Sequence, residues 1–112
     1  MASVDDLWLT DFGEPYPGEL GMHRPALVIG PPETFGPRFP FVIVIPLTTT
    51  HHALSLHVEV ETTEDTGVDE ISYVQCEFLR SVNRNRLIHR LGAIDHEASS
   101  QVSTVVKTLL TY

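Results

Sequence analysis

Two apolar segments decide the fold of this 112-residue chain, Arg24-Pro25-Ala26-Leu27-Val28-Ile29 and Phe41-Val42-Ile43-Val44-Ile45-Pro46-Leu47. Both are rich in β-branched residues, which favours buried β-strands. Arg24 opens the first segment, and Thr48 directly follows the second. We assume that the two strands are adjacent. A cation and a hydroxyl would then lie at the ends of rigid neighbouring strands, where they are well placed to hold a phosphate group.

Further strands are predicted on both sides of this pair. The segments 6–12, 56–61, 71–82 and 87–94 have the apolar runs or the alternation of strands, and 71–82 is long enough to be bent or bulged. Within 56–61, the alternation puts His57 on the polar face, where it is expected to be solvated. Glycine and proline assign 13–21 and 31–40 to loops, and 62–70 is predicted to be an acidic turn.

A single helix is predicted at the C-terminal end. Asp95 can accept a hydrogen bond from the first turn, which makes it a good N-cap. Before it, 83–86 is predicted to be a break or a single helical turn. Many short strands and one terminal amphipathic helix predict a mainly β protein, a small barrel or strongly bent antiparallel sheet packed against that helix. The apolar stripe of the helix comprises Val102, Val105, Val106, Leu109 and Leu110.

Length and composition limit the classes of protein that the chain can belong to. Residues 1–112 are expected to form one domain, large enough for a hydrophobic core without disulfides or metal. No apolar run approaches the roughly 20 residues that span a membrane, and the first residues do not have the pattern of a signal peptide. The single cysteine, Cys76, excludes an intramolecular disulfide and is expected to be a buried core thiol. A cytoplasmic protein is therefore expected.

The charge distribution is unfavourable for general nucleic-acid binding. The formal net charge is −8, with 7 basic and 15 acidic residues, whereas affinity for nucleic acids depends largely on cations at phosphates. The basic residues nevertheless cluster in 80–90 and the acidic ones in 59–70, so one face could bind a short RNA. The histidines and the single cysteine do not have metal-ligand spacing, and no phosphate-binding glycine motif is present. No metal or cofactor is expected.

An ordered set of motifs resembles the MazF/PemK family of toxins, which are sequence-selective endoribonucleases, or mRNA interferases, of toxin–antitoxin modules. The likeness extends through most of the chain, in 8–12, 13–21, 23–29, 45–49, 57–60, 73–86 and 90–92. It implies the CcdB/Kid/MazF-like plasmid-maintenance toxin fold, an SH3-like barrel in a symmetric homodimer. The implied partners are single-stranded RNA and a cognate MazE-like antitoxin protein.

The resemblance also implies a metal-independent cleavage that uses Arg24 and Thr48. The 2′-OH of the RNA attacks the adjacent phosphate, so the products carry a 2′,3′-cyclic phosphate and a 5′-OH. An arginine suits the charge that builds on the phosphoryl oxygens, and a threonine hydroxyl can donate to them. The general base stays open: Arg24 is normally too basic, and His23 and Glu19 are alternatives.

Substrate contacts are implied for residues of the first loop and of the long strand. Basic side chains would follow the RNA backbone, although a solvated charge run is equally compatible with them. Phe78 is as consistent with a core position as with a base contact. The sequence departs from the family pattern at Gly30-Pro31-Pro32, at Phe78 and in 17–22, which concerns recognition. The residues implied to contact the substrate are Tyr16, Gly18, Glu19, His23, Thr49, Glu77, Phe78, Arg80 and Arg86.

Two other functions remain compatible with the same fold. CcdB-like toxins resemble it but inhibit DNA gyrase by binding, without cutting RNA, and their C-terminal residues make that contact. The end of this chain, Leu109-Leu110-Thr111-Tyr112, has no distinctive aromatic tip. The third possibility is a degenerate family member that only binds RNA weakly. Fold alone does not separate these functions, but Arg24 and Thr48 favour the nuclease.

Overall fold

The computed structural model describes residues 2–14, 22–36 and 38–111. It consists of an antiparallel sheet and one C-terminal helix, which confirms the predicted mainly β fold class. Within the described ranges no helix is both long and apolar enough to cross a membrane. The elements are β1 Asp6–Asp11, β2 His23–Gly30, β3 Phe41–Thr48, β4 His57–Val60, β5 Ser72–Gln75, β6 Arg80–Asn83, β7 Leu87–Ala93 and α1 His96–Leu109.

The strands form one open sheet in the order β4-β5-β3-β2-β1-β7, and β6 also pairs with β3. In the described part of the chain the path ends at β4 and at β7, so the sheet does not close into a barrel. The assumed pairing of β2 with β3 is confirmed, because Ala26 lies opposite Pro46 and Leu27 opposite Ile45. These two strands are therefore the centre of the fold.

Both faces of the central strands are buried, which explains why their sequences are apolar without alternation. Leu27 and Ile45 belong to the larger core, together with Val102 of α1. Ala26 and Val44 belong to a second core on the other face. A strand buried on both sides cannot slide along its neighbour without exposing apolar surface, so this register is well specified.

The predicted long strand 71–82 is wrong, because the chain breaks it into β5 and β6. A 3-10 turn over Cys76–Phe78 separates the two. Leu47 pairs with Val74 and Val44 with Arg80, so the two residues of β3 between these pairs, 45–46, face five residues of the partner segment, 75–79. Pro46 of β3 lies between these two pairing stretches and cannot donate a backbone N–H, which disfavours a continuous ladder there.

The C-terminal helix begins where the sequence predicts. Asp95 Oδ1 accepts a hydrogen bond of 2.9 Å from the Ala98 N–H. Val102 is buried against the sheet, with 3% of its surface exposed, and Val105 and Val106 pack at the edge of the same core. Leu109 and Leu110 are exposed, so the last turn of the predicted stripe lies outside this core. The 3-10 turn Arg84–Arg86, after β6, fulfils the predicted break.

Removing the cap should weaken the docking of the helix. Asp95→Ala leaves the N–H of Ala98 without its acceptor, and we expect the free energy of unfolding to fall by about 1 kcal/mol. Urea denaturation followed by circular dichroism measures this loss. Asp95→Asn keeps an acceptor oxygen and is the matched control. Equal stability of the Ala variant and the parent protein would contradict the capping role.

Candidate active site

A row of polar residues crosses the sheet on the face opposite the helix core. Thr10 pairs with Arg24, and Thr48 with Tyr73, which in turn pairs with Glu59. Continuing the β2–β3 register two residues beyond Ala26–Pro46 sets Arg24 opposite Thr48. Directly opposite residues of an antiparallel pair project to the same face. We call Thr10, Arg24, Thr48, Tyr73 and Glu59 the polar row.

The two sequence candidates for catalysis are thus brought together. Arg24 is half-buried near the start of β2, and Thr48 ends β3. Neighbouring strands are about 4.8 Å apart, and opposite Cβ atoms about 4.5–5.5 Å apart. A guanidinium and a hydroxyl at this separation can contact different oxygens of one phosphate. Thr10, Tyr73 and Glu59 are not among the residues predicted from the sequence, because the row exists only once the strands are paired.

The hydroxyl of Thr48 is oriented by the loop that follows it. Thr48 has 7% of its surface exposed, and its Oγ1 accepts a hydrogen bond of 3.2 Å from the Thr50 N–H. Because this contact uses the oxygen as an acceptor, the hydroxyl proton is left to be donated in another direction. Thr48 is therefore suited to donate to an oxygen of a bound anion.

The prediction that His57 is a solvated histidine is wrong, since 3% of its side chain is exposed. Its Nε2 lies 2.8 Å from Oε2 and 3.0 Å from Oε1 of Glu77. An ionised carboxylate only accepts hydrogen bonds, so Nε2 carries the proton in this pair. Within the described residues, His57 Nδ1 is buried and has no hydrogen-bond partner. The alternation within 56–61 could not predict the burial of His57, because its partner, Glu77, comes from a distant segment, the turn between β5 and β6.

The carboxylate of Glu77 is fixed by this contact but keeps access to solvent. Its side chain is 29% exposed, and the three extra residues between β5 and β6 remove it from the ladder. A carboxylate held in one orientation accepts hydrogen bonds from a defined direction. Glu77 can thus serve as an acceptor for N–H groups of a ligand, the role that its sequence position implies.

The loop 49–56 folds onto the polar row. The ring of His51 stacks on Tyr73, with 4.9 Å between centroids and an interplanar angle of 16°. The ring of His52 meets that of His57 edge-on at 5.5 Å. Both histidines stay exposed, and so does Thr49. In the described ranges no group of three or more His, Cys, Asp or Glu side chains could hold a metal ion.

Cys76 is the buried core thiol that the sequence predicts, with 1% of its surface exposed. Burial, and secondarily the negative charge of Glu77, raises the pKa of Cys76 to about 11. The thiol is therefore protonated at neutral pH. Because the thiolate is the reactive form, this cysteine is a poor nucleophile.

Alkylation tests this environment. At pH 8 we expect iodoacetamide to label Cys76 of the native protein at least about 100-fold more slowly than in denaturant, where the thiol has an ordinary pKa. The native rate should rise with pH up to about 11, the pKa of the buried thiol. Mass spectrometry of timed samples measures both rates. Labelling of the folded protein at the denatured rate would contradict a raised pKa.

The predicted RNA-backbone arginines lie at the base of the first loop. Arg80 lies over the ring of Phe12, with 5.4 Å to its centroid. Arg86 Nη1 donates to the carbonyl oxygen of Asp11 at 3.4 Å. Both residues are exposed, so these contacts orient the arginines without removing them from solvent. Phe78 is half-buried in the turn before Arg80.

Four candidates from the first loop and the start of β2 remain, and of these only His23 lies within the described residues. Tyr16, Gly18 and Glu19 lie in 15–21, outside the described residues. His23 is exposed, and its Nε2 is 4.0 Å from Asp11 Oδ1. Because successive residues of a strand project to opposite faces, His23 does not share the face of Arg24.

The structure is an open antiparallel sheet with a helix on one face and Arg24 beside Thr48 on the other. Residues 4–110 match the family model described as PemK-like, MazF-like toxin of type II toxin-antitoxin system. The chain belongs to this family, and the resemblance inferred from the sequence is confirmed.

Solved structures of low sequence identity share the fold. MazF from Deinococcus radiodurans has a TM-score of 0.84 at 21% identity, covering 99% of this chain and 97% of its own. The Mycobacterium tuberculosis toxin MazF-mt6 has a TM-score of 0.77 at 20% identity, covering 95% and 96%. An endoribonuclease in complex with its cognate antitoxin, from a mycobacterial species, has a TM-score of 0.79 at 16% identity, covering 99% and 96%.

Proposed function

We propose that this protein is the toxin of a type II toxin–antitoxin pair and acts as a metal-independent, sequence-selective endoribonuclease on single-stranded RNA. The observation that carries the proposal is the β2–β3 register, which sets Arg24 opposite Thr48 on the face away from the helix. Membership of the toxin family supports the class of protein. The structural match to an endoribonuclease supports a fold compatible with this activity.

The proposed reaction is an internal transfer at phosphorus. The 2′-oxygen forms a bond to phosphorus while the bond from phosphorus to the 5′-oxygen breaks. A base takes the proton of the 2′-OH, and an acid returns a proton to the departing 5′-oxygen. The products are a 2′,3′-cyclic phosphate and a 5′-OH, with no change in oxidation state.

Arg24 and Thr48 act on the non-bridging oxygens of this phosphate. Negative charge grows on those oxygens in the transition state, so preorganised donors stabilise it more than the ground state. The planar fork of Arg24 matches two oxygens, and Thr48 donates its oriented proton to one. Arg24 and Glu19 remain candidates for the base, whereas the strand position of His23 makes it a weaker one.

Recognition of the RNA is assigned to the surroundings of the polar row. Glu77 accepts hydrogen bonds from base N–H groups, and Phe78, the next residue of the same turn, and Thr49, the residue after Thr48, contact the neighbouring nucleotides. Arg80 and Arg86 bind backbone phosphates, and Tyr16 and Gly18 of the first loop contact the RNA. Single-stranded RNA is the fitting substrate, because its unstacked bases can reach such side chains.

A cognate MazE-like antitoxin and a homodimer complete the proposal, together with a cytoplasmic location. The mycobacterial endoribonuclease is in complex with its cognate antitoxin, and the shared fold makes an equivalent partner reasonable here. The net charge of −8 should weaken long-range attraction to an acidic antitoxin segment. Short-range contacts at the site would then have to supply more of the affinity.

A cleavage assay in EDTA tests the proposed activity. Purified protein is incubated with a long single-stranded RNA, and the fragment ends are mapped beside an Arg24→Ala sample prepared in parallel. Discrete cuts with 5′-OH ends, absent from the variant, would support the ribonuclease and reveal its preferred sequence. Absence of cutting by folded protein would overturn it and favour a CcdB-like gyrase inhibitor or a degenerate RNA-binding member.

A further inference from the structure

We infer that the exposed side of the His51 ring is a stacking platform for one unpaired nucleobase next to the scissile phosphate. The inference rests on the proposed ribonuclease function and adds a substrate subsite to it. The evidence is the stacked geometry of His51 on Tyr73, with centroids 4.9 Å apart and planes inclined by 16°. One face of the imidazole is covered by Tyr73, and the residue is otherwise exposed.

The platform lies beside the catalytic pair. Tyr73 is the cross-strand partner of Thr48, and Thr48 is in register with Arg24. Since His51 stacks on the ring of Tyr73, its own ring lies at the Tyr73 position of the polar row, next to Thr48 in the strand order. A nucleotide whose phosphate contacts Arg24 and Thr48 would therefore have a planar surface within reach of a neighbouring base.

The ring is held in place before any ligand binds. Six residues after His51, the His57 N–H donates a hydrogen bond of 3.1 Å to the carbonyl of Leu54, which closes the loop onto β4. Between His51 and His57, Ala53 has a φ of 54°, a left-handed conformation that turns the chain. His52 contacts the buried ring of His57. A loop ordered in this way loses less conformational entropy on binding than a free one.

The chemistry of the platform identifies the type of ligand. Unpaired bases of RNA stack on aromatic side chains, including histidine, whereas the bases of a duplex are already stacked on each other. Stacking tolerates every base, because each has a π-face. His51 should therefore add affinity for single-stranded RNA without deciding which base is read, and the edge contacts of Glu77 remain available for selection.

Fluorescence of 2-aminopurine provides the test, on oligonucleotides built around the cleavage sequence from the mapping experiment. The cleaved nucleotide carries 2′-deoxyribose, which prevents cutting, and 2-aminopurine replaces each flanking base in turn. We expect quenching at one position by the parent protein. His51→Ala should lose this quenching and bind about tenfold more weakly, whereas His51→Phe should keep both. His96→Ala, an exposed histidine at the start of α1, is the matched control.

The outcomes separate this inference from the function on which it rests. Quenching and affinity unchanged in His51→Ala, with normal cutting by the parent protein, would overturn the platform alone. A change in the cleavage sequence of His51→Ala would also overturn it, since stacking was argued not to select a base. Absence of cutting by the parent protein would overturn both. Circular dichroism and thermal melting of each variant confirm that the comparison is made between folded proteins.

Discussion

Arg24→Ala is expected to lower the rate of RNA cleavage by about 10²–10³-fold, the loss typical of removing one preorganised donor from a transition state. Arg24 is half-buried and belongs to neither core cluster. Truncation of its side chain should therefore leave the fold intact. Arg24→Lys keeps the charge but loses the planar fork, and we expect it to recover only part of the rate.

Single-turnover cleavage of the mapped substrate measures these rates, and growth arrest on expression gives an independent readout. Arg24→Ala and Thr48→Ala should each abolish toxicity, whereas Thr48→Ser, which keeps the hydroxyl, should retain activity. Because both residues act on one phosphate, the losses in the Arg24/Thr48 double variant should not be additive. Growth arrest by a folded double variant would refute the catalytic assignment.

Gly67→Ala is expected to lower the free energy of unfolding by at least about 3 kcal/mol, combining backbone strain with overpacking. Gly67 has a φ of +69°, and an added Cβ would lie 2.0 Å from the Leu91 carbonyl oxygen and 2.7 Å from its carbon. These are backbone atoms of β7, so the clash cannot be relieved by rotating a side chain. The acidic turn would have to move off the sheet.

Gly36→Ala is the matched control for this prediction. Gly36 has a φ of +84°, but an added Cβ meets nothing within 4 Å. Only the cost of the left-handed conformation applies there, about 1 kcal/mol. Urea denaturation of both variants measures the difference. Equal losses at the two positions would show that close packing of the turn on β7 contributes nothing measurable.

The acidic turn illustrates how far local pattern can be followed. Its existence was predictable from composition, whereas the strand after it, predicted as one segment over 71–82, is broken into β5 and β6. The shape of the turn depends on contacts between distant residues. Thr66 donates 2.7 Å to the carbonyl of Glu61, and Ala93 of β7 donates 2.8 Å to that of Asp65. The second contact joins residues that no short sequence window contains.

Several elements of this fold have local signals and could be predicted from the amino-acid sequence. The apolar β-branched runs of β2 and β3 form strands because each is buried on both faces. Asp95 begins the helix because its side chain satisfies a free N–H one turn further on. Arg24 and Thr48 could be chosen as a pair because both lie at ends of these two strands, and the family motifs lie along the chain in order.

The side chains that surround Arg24 and Thr48 could not be predicted in this way, because they come from segments that meet only in the folded chain. The break between β5 and β6 depends on two separate stretches of β3. The burial of His57 depends on Glu77, and the place of His51 depends on Tyr73, which is 22 positions away in the printed sequence. Cross-strand neighbours are set by register, which is a relation between segments. Alternation within one segment tells which face a residue occupies, but not what lies opposite it.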